Sequence, residues 1–308
     1  MDVIKKLFRY TIRWPIEAVV FYGLAGVLMI LPVSIASALG GGLMRLIAPL
    51  TPFHRRSLFN IGLAMPELSP QDRQKIAMGM WMHLGRVLGE YLHTKTLVKS
   101  NRITYDGLEH LAPLKEKGGF MITAHLGNWE LVVAPALAVN LPVNVVFRRI
   151  NNPLISKLLM RRVQVFDAVF QKGLEGARGM ASTVKSGKTF VALVDQKLRE
   201  GEMLDFFGHK ASTAVAHIKL AEKFKTPIVT VQIIRTKGCH FHIVIRPLDL
   251  SAFDPKNADY VNQAGTYINS VLEGWIRENP EQWMWPHRRW PASKGEVYIP
   301  PQNDSASE

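Results

Sequence analysis

Short apolar runs alternate with helical patterns between residues 102 and 277, and this order limits the folds open to the chain. The apolar runs are Arg102–Tyr105, Gly119–Thr123, Pro142–Phe147, Thr189–Val194, Pro227–Ile234 and His240–Ile245. The helical patterns are Glu130–Val139, Pro153–Phe166, Leu174–Lys185, Thr213–Phe224 and Tyr260–Arg277. Strands that are joined through helices usually lie parallel in one sheet. We therefore predict an α/β fold with a mixed, mainly parallel central sheet that is flanked by helices.

The N-terminal part of the chain carries a long segment without charge. From Ala18 to Met44 there is no charged residue in 27 positions. Four basic residues precede it: Lys5, Lys6, Arg9 and Arg13. Pro32 interrupts the segment after about 21 Å of helical rise, which is short for a bilayer. We predict a hydrophobic membrane-anchoring helix, either kinked and continued through residues 33–39 or followed by an interfacial helix over residues 43–50.

Two other interpretations of this segment are open. Ala36-Ser37-Ala38 resembles the cleavage site of a secretory signal peptide, although the preceding polar region would be long and contains Glu17. The segment could also form a buried helical hairpin of a soluble protein. The basic residues before it favour an N-terminus on the cytoplasmic side, while Arg45, Arg55 and Arg56 weaken that asymmetry.

The overall charge favours an anionic partner. Lys and Arg number 38 against 25 Asp and Glu, which gives a net charge of +13. Such a charge suits nucleic acid, acidic lipid, a phosphorylated substrate or an acidic carrier protein. The sequence contains no zinc finger, aromatic RNA-binding signature or helix-turn-helix pattern, so we do not expect nucleic-acid binding. Cys239 is the only cysteine, which excludes an intrachain disulfide and favours a reducing compartment.

Three familiar motifs do not account for a function. Ser186-Gly187-Lys188-Thr189 resembles the end of a phosphate-binding loop, but Ser182 replaces its first glycine and the segment enters a strand. The Gly-x-Ser-x-Gly motif of serine hydrolases is missing from the sequence. His240 and His242 share one face of a predicted strand without an evident third ligand, so we expect no metal site there.

The strongest candidate for chemistry is a histidine and a glutamate at the end of a predicted strand. His125 follows Gly119–Thr123, and Glu130 begins a helical pattern. Residues five apart in one helix point about 140° apart, so the two side chains can pair only if Gly127 permits a turn. Glu130 would then orient the imidazole, which would act as a general base on a substrate hydroxyl. Alternatively, His125 bonds the helix start and Glu130 interacts with the helix N-terminus.

The segment His125-Leu126-Gly127-Asn128-Trp129-Glu130 resembles the His-x4-Asp/Glu motif of glycerolipid acyltransferases, in the form found in lipid A biosynthesis acyltransferases of Gram-negative bacteria. Other blocks follow in the order of that family: Phe147-Arg148-Arg149, Asn151-Asn152-Pro153, Arg161-Arg162, Val194-Asp195-Gln196, Asp205-Phe206-Phe207-Gly208 and Pro280–Trp290. The sequence departs from the commonest forms at Gln196-Lys197-Leu198, Trp283 and Trp290. These departures bear on the preferred acceptor and acyl chain and leave the reaction type intact.

The resemblance implies transfer of a fatty acyl chain to a hydroxyl of a hydroxyacyl chain on a lipid A precursor. The donor would be a thioester of acyl carrier protein or of coenzyme A. His125 would deprotonate the acceptor hydroxyl, and Glu130 would orient His125 and compensate its charge. We therefore expect no acyl-enzyme, no cofactor and no metal. The family also implies substrate binding at Arg162, Asp195 and Asn128.

Some of these residues also have a structural interpretation that involves no substrate. Arg148 and Arg149 follow a predicted strand and are further candidates for phosphate contact, but they could equally form a solvated basic face. Asp195 also ends a predicted strand, where an aspartate often caps a helix or a turn.

The resemblance also implies an organisation and a location. Residues 1–50 would form the membrane anchor or interfacial segment, residues 51–294 the acyltransferase catalytic domain and residues 295–308 a disordered tail. We expect a protein of the bacterial inner membrane that contacts membrane lipids and has its catalytic domain on the cytoplasmic side. The alternatives are an acyltransferase for a lysophospholipid or another glycolipid, and a non-catalytic protein that binds membranes or nucleic acid.

Overall fold

A computed structural model describes residues 8–147, 152–159 and 165–291, and a mixed sheet lies at its centre. The strands in these residues are β1 Ile103–Asp106, β2 Gly119–Thr123, β3 Val143–Phe147, β4 Ala168–Gln171, β5 Thr189–Leu193, β6 Glu202–Phe206, β7 His209–Thr213, β8 Ile228–Lys237 and β9 His240–Pro247. The sheet order is β1-β9-β8-β2-β5-β3-β4, and β6 and β7 form a separate antiparallel pair. Within the large sheet, only β8 and β9 are antiparallel neighbours. The predicted mixed, mainly parallel sheet is confirmed.

Helices flank this sheet and precede it. They are α1 Trp14–Ile30, α2 Val33–Ile47, α3 Pro52–Ala64, α4 Pro70–Glu90, α5 Thr94–Val98, α6 Ala112–Lys117, α7 Ala134–Ala138, α8 Pro153–Leu159, α9 Leu174–Lys185, α10 Ala216–Phe224 and α11 Tyr260–Glu278. A 3₁₀ turn over Trp129–Val133 leads into α7, so the predicted helix Glu130–Val139 is divided. Pro135 lies in the first turn of α7, where a missing backbone N–H costs no helical hydrogen bond.

The hydrophobic core lies on both faces of the sheet. All five residues of β2 are buried, and their side chains alternate between two clusters. Phe120 and Ile122 pack on the side that also holds Trp81 and Trp283, whereas Met121 packs on the side of Leu131. A strand that is covered on both faces reads as a continuous apolar run, which is why the sequence predicts β2 correctly.

The two N-terminal helices are apolar enough to cross a membrane. The segments Tyr10–Ile30 and Val33–Leu50 pass that test by length and composition, and the extended residue Leu31 and Pro32 separate them. Large apolar side chains of α1 lie exposed: Ile16, Val19, Val20, Leu24, Val27, Met29 and Ile30. An exposed apolar surface of this kind favours lipid contact. It does not fit the alternative of a buried helical hairpin.

Helix α2 packs against α4 through small residues. A Cβ atom added to Gly40 would lie 2.4 Å from the carbonyl oxygen of Gly85, and one added to Gly89 would lie 2.3 Å from that of Ala36. The two backbones are therefore in direct contact, which brings Ser37 beside the end of α4. A cleaved signal peptide would not keep this contact. The division of the chain at residue 50 stays a prediction, and the expected tail over residues 295–308 lies outside the described residues.

Candidate active site

Two neighbouring parallel strands bring His125 and Asp195 together. In the register of β2 and β5, Thr123 is paired with Leu193, and each polar residue follows two positions later. The Nδ1 atom of His125 lies 2.8 Å from Oδ1 of Asp195, and the backbone N–H of His125 donates to Oδ2 at 2.9 Å. The register of the sheet therefore sets this pair.

Asp195 is an ionised carboxylate in a buried position. Its side chain is 2 % exposed, and the indole N–H of Trp283 donates to Oδ2 at 2.8 Å. Burial opposes ionisation, but the charge of His125 and the hydrogen bonds from His125 and Trp283 outweigh it and lower the pKa of Asp195 to about 2. An ionised carboxylate only accepts hydrogen bonds, so Nδ1 of His125 carries a proton. In the neutral imidazole, Nε2 then holds the free lone pair.

The Nε2 atom of His125 lies on the side of the ring away from Asp195. The side chain of His125 is 17 % exposed, and its ring lies 5.2 Å from the ring of Trp129. The Nε2 atom of Gln196 lies 3.1 Å from Nε2 of His125. An imidazole whose Nδ1 proton is held by a carboxylate can act as a general base through its other nitrogen.

Gly127 makes the turn after His125. Its φ of +57° is in the left-handed region, and a Cβ atom here would lie 2.0 Å from the carbonyl oxygen of Ile233. The carbonyl of Gly127 accepts a hydrogen bond from Nε2 of His83 at 3.0 Å. Burial, with the charge of Arg235, lowers the pKa of His83 to about 3, so this histidine is neutral. Neutral His83 thus holds the turn after His125 without adding charge.

The expected pair of His125 and Glu130 differs from the observed hydrogen bonds. In the described residues, the ring nitrogens of His125 bond Asp195 and Gln196. Glu130 lies in the first turn of the 3₁₀ segment, where its backbone N–H donates to Oδ1 of Asn128 at 3.2 Å. The expected turn at Gly127 is present, but the carboxylate at Nδ1 comes from the adjacent strand because the register places it there.

The expected substrate-binding role of Asn128 stays a prediction. Its side chain is buried, and its Nδ2 donates to Oε2 of Glu90 at 2.7 Å while its Oδ1 accepts from the backbone N–H of Glu130. These hydrogen bonds support the loop that follows His125.

Glu90 is the centre of a buried polar cluster that bonds the turn after His125. Its carboxylate receives both terminal nitrogens of Arg235, one of them at 2.8 Å, and the hydroxyl of Ser37 at 2.6 Å. The side chains of Glu90 and Arg235 are 0 % and 7 % exposed. Arg235 also donates from Nε to Nδ1 of His83. The cluster therefore connects α2, α4 and β8 with Asn128 of the loop.

The closing segment of the chain completes the site. Trp283 pairs with Leu126 in an isolated bridge, and Nε2 of His287 accepts a hydrogen bond from the backbone of Lys197 at 3.0 Å. Burial lowers the pKa of His287 to about 4. The negative charge of Asp195 acts against this shift, and the positive charges of His125, Arg289 and Lys172 add to it. The aromatic residues of this segment pack into the core instead of lying at a membrane interface.

The predicted arginines cannot be placed. Arg148, Arg149 and Arg162 lie outside the described residues, and their roles stay predictions.

Several residues of the site were not predicted: Glu90, Arg235, His83, Gln196 and His287. The sequence contains a signal for the pairing with Asp195, since one apolar run ends two residues before His125 and another ends directly before Asp195. The others come from distant elements and carry no local pattern.

A family model and curated proteins that are similar to the chain are named for lipid A biosynthesis. The model of the family described as bacterial lipid A biosynthesis acyltransferase matches residues 3–292. The chain is 26 % identical over 259 residues to a lipid A biosynthesis palmitoleoyltransferase of Escherichia coli, covering 78 % of this chain and 80 % of that protein. It is 22 % identical over 238 residues to a lipid A biosynthesis acyltransferase of Haemophilus influenzae, with coverage of 75 % and 73 %.

A solved structure also resembles the chain. A 1-acyl-sn-glycerophosphate acyltransferase of Thermotoga maritima matches with a TM-score of 0.39 and 11 % identity, covering 79 % of this chain and 98 % of that one.

Proposed function

This chain belongs to the family of bacterial lipid A biosynthesis acyltransferases, and we propose that it transfers a fatty acyl chain from a thioester to a hydroxyl group of a hydroxyacyl chain on a lipid A precursor. The donor in this proposal is an acyl carrier protein, with coenzyme A as the alternative. The observation that carries the mechanism is the hydrogen bond from Nδ1 of His125 to Asp195, which leaves Nε2 as the ring nitrogen that can take the proton of the acceptor.

The proposed reaction needs one base and no covalent enzyme intermediate. Nε2 of His125 accepts the proton of the acceptor hydroxyl while the hydroxyl oxygen forms a bond to the thioester carbonyl carbon. The carbonyl oxygen becomes negative, and the imidazolium is stabilised by the Asp195 carboxylate. The intermediate collapses, the carbon–sulfur bond breaks, and the departing thiolate takes the proton from Nε2. An ester and a free thiol result.

Substrate binding is proposed for residues around this base. Arg148, Arg149 and Arg162 are the candidates for contacts with phosphate groups, since the arginine fork suits phosphate oxygens. We propose that the carboxylate of Glu130, five residues after His125, adds a negative charge near the base. The net charge of +13 suits both an acidic carrier protein and an anionic lipid.

The proposed location is the cytoplasmic face of the bacterial inner membrane. The exposed apolar side chains of α1 would enter the lipid, and the basic residues before them favour a cytoplasmic N-terminus. Since α2 packs directly on α4, the membrane segment and the catalytic domain would be held close together.

An acyl-transfer assay with the detergent-solubilised protein tests the proposal. The assay offers acyl carrier protein thioester or acyl-coenzyme A with a lipid A precursor and, in a parallel reaction, with a lysophospholipid. We expect a mass gain of the lipid A precursor that is lost in His125→Ala. His240→Ala serves as the matched control, because His240 is exposed on β9 and should leave the rate unchanged.

The outcomes separate the alternatives. Transfer to the lysophospholipid alone would keep the base and replace the acceptor. Full activity of His125→Ala would contradict the mechanism. No transfer to either acceptor by the folded protein would favour a non-catalytic membrane-binding role.

A further inference from the structure

The carboxamide of Gln196 occupies the place where the reaction must begin. Its Nε2 lies 3.1 Å from Nε2 of His125. Since Nδ1 of His125 donates its proton to Asp195, the other ring nitrogen can only accept in the neutral imidazole. The amide N–H of Gln196 therefore donates to the lone pair that would take the proton of the acceptor.

The main chain of the Gln196 loop is anchored on both sides. Before it, Asp195 accepts hydrogen bonds from His125 and Trp283. After it, the backbone N–H of Lys197 donates to His287 at 3.0 Å, and the carbonyl of Leu198 accepts from the hydroxyl of Ser212. The position of Gln196 is thus set by its neighbours. Its side chain is half-buried and can rotate while the main chain stays in place.

The acceptor hydroxyl and the amide of Gln196 need the same space. A hydroxyl that gives its proton to His125 must lie about 2.6–3.2 Å from Nε2, which is the distance at which the amide now lies. Binding of the acceptor therefore displaces the amide. The displaced amide stays attached next to the base, where its N–H groups would be available to the thioester carbonyl under attack. Side-chain amides are common donors to the oxyanion in acyl transfer.

We propose that Gln196 is a further catalytic residue, whose carboxamide holds the lone pair of His125 before the substrates bind and then donates an N–H to the thioester carbonyl oxygen as its negative charge develops. No bond to Gln196 forms or breaks, and the proton moves only between the hydroxyl, His125 and the departing thiolate. This inference rests on the proposed acyl transfer.

Other charged groups that face His125 are few in the described part of the chain. Asp195 follows β5, and His287 comes from the closing segment, where the charges of Arg289 and Lys172 also act on it. Glu130 belongs to the loop of His125 itself. A carboxylate at position 196 would replace the amide that now lies 3.1 Å from Nε2 of His125. The pKa of His125 should therefore respond strongly to Gln196→Glu.

Two substitutions at Gln196 test the proposal in the acyl-transfer assay. Gln196→Ala removes the donor, so we expect kcat to fall about 10²- to 10³-fold with a KM within a few-fold of the wild type. Gln196→Glu places a carboxylate beside the imidazolium, so the acid limb of the pH profile of kcat/KM should move to higher pH by about one unit or more. Glu200→Gln is the control, because Glu200 is exposed in the same loop and contacts no site residue in the described hydrogen bonds.

A measurement without turnover separates this inference from the proposed function. In ¹⁵N NMR spectra of histidine-labelled protein, the signals of His125 are identified by their loss in His125→Gln. We expect an Nδ1-protonated tautomer in the wild type, and a pKa of His125 that is about one unit higher in Gln196→Glu. An unchanged pKa, or a kcat of Gln196→Ala within twofold of the wild type, would overturn the role of Gln196. A shifted pKa in a protein that transfers no acyl group would keep the contact and reject the function.

Discussion

The two oxygen atoms of Asp195 have different partners. Oδ2 accepts from the backbone of His125 and from the indole of Trp283, whereas Oδ1 accepts only from Nδ1 of His125 in the described hydrogen bonds. An amide at this position has one acceptor oxygen and one donor nitrogen. Because both donors at Oδ2 require an acceptor, the amide nitrogen would have to face Nδ1.

Asp195→Asn should therefore invert the tautomer of His125. The new amide donates to Nδ1, so the imidazole proton moves to Nε2 and the base loses its lone pair. We expect kcat to fall about 10³- to 10⁴-fold while the protein stays folded, as for the corresponding change in a serine protease triad. Steady-state kinetics and far-UV circular dichroism measure the two effects.

Two further variants make this result specific. Asp205→Asn changes an exposed aspartate that pairs with Lys210, and its activity should match the wild type. Glu130→Gln tests the carboxylate that the sequence favoured. If Glu130→Gln were inactive and Asp195→Asn retained most of the rate, the orienting role would belong to Glu130.

The sequence predicts the position of the proposed base, His125, but it does not predict the hydrogen bond from Nδ1 of His125 to Asp195. His125 and the turn at Gly127 follow from a strand end and one glycine, which are local features. The contact with Asp195 depends on the pairing of β2 with β5, which are separated by two strands and several helices in the sequence. Such a pairing becomes readable only when the strand order is known.

The interface of α2 and α4 depends on glycines that have no room for a side chain. A Cβ atom on Gly85 would lie 2.2 Å from the carbonyl oxygen of Gly40. Gly85→Ala should therefore separate the helices and lower the free energy of unfolding by about 1–3 kcal/mol. Gly42 lies on the same helix as Gly40 with nothing within 4 Å of its added Cβ. Gly42→Ala should leave the stability equal or slightly higher, since alanine favours the helix.

Thermal unfolding of both variants in the same detergent tests this interface. A lower midpoint for Gly85→Ala only is the expected result. Equal unfolding midpoints for Gly85→Ala and Gly42→Ala would contradict the close packing of α2 against α4. Because Glu90 ends α4 and bonds Asn128 of the catalytic loop, Gly85→Ala should also lower the rate of acyl transfer.

The buried pair of Glu90 and Arg235 should be far more sensitive than a surface pair. Glu90→Gln leaves the guanidinium of Arg235 without its charged partner in a buried site, which should cost about 3–5 kcal/mol. The pair of Arg277 and Glu67 is the matched comparison, with side chains that are 47 % and 58 % exposed. Glu67→Gln should cost less than about 1 kcal/mol. Chemical denaturation compares the two, and similar losses would contradict the buried position of Glu90.

Elements with a continuous apolar run are predicted well, and short polar strands are missed. β2 and β5 are covered on both faces and agree closely with the predicted runs. β4 is an edge strand with only three apolar residues, and β6 and β7 form a hairpin with exposed charged residues, so none of the three carries a long apolar run. Helix α10 begins at Ala216 instead of Thr213, because Thr213 belongs to β7.

Over the whole molecule, buried histidines should make the fold sensitive to acid. Burial lowers the pKa of His217 to about 4 and, with the charge of Arg235, that of His83 to about 3. In the unfolded chain both pKa values lie near 6.5, so the unfolded state binds more protons than the folded state below that pH. The stabilisation is complete above pH 6.5 and is lost as the pH falls toward the folded pKa values.

These two histidines should together make the free energy of unfolding decrease by about 2–3 kcal/mol for each pH unit between pH 6 and 5, since each contributes about 1.4 kcal/mol. His217→Leu separates the contribution of His217 from those of other histidines with a lowered pKa, such as His287. Nε2 of His217 is buried without a hydrogen-bond partner in the described residues, so an apolar side chain should be tolerated there and should reduce the slope by about 1.4 kcal/mol per pH unit. His240→Leu, at an exposed position, should leave the slope unchanged. Denaturant titrations at a series of pH values measure these slopes, and an equal slope for the wild type and His217→Leu would show that His217 does not resist protonation in the folded protein.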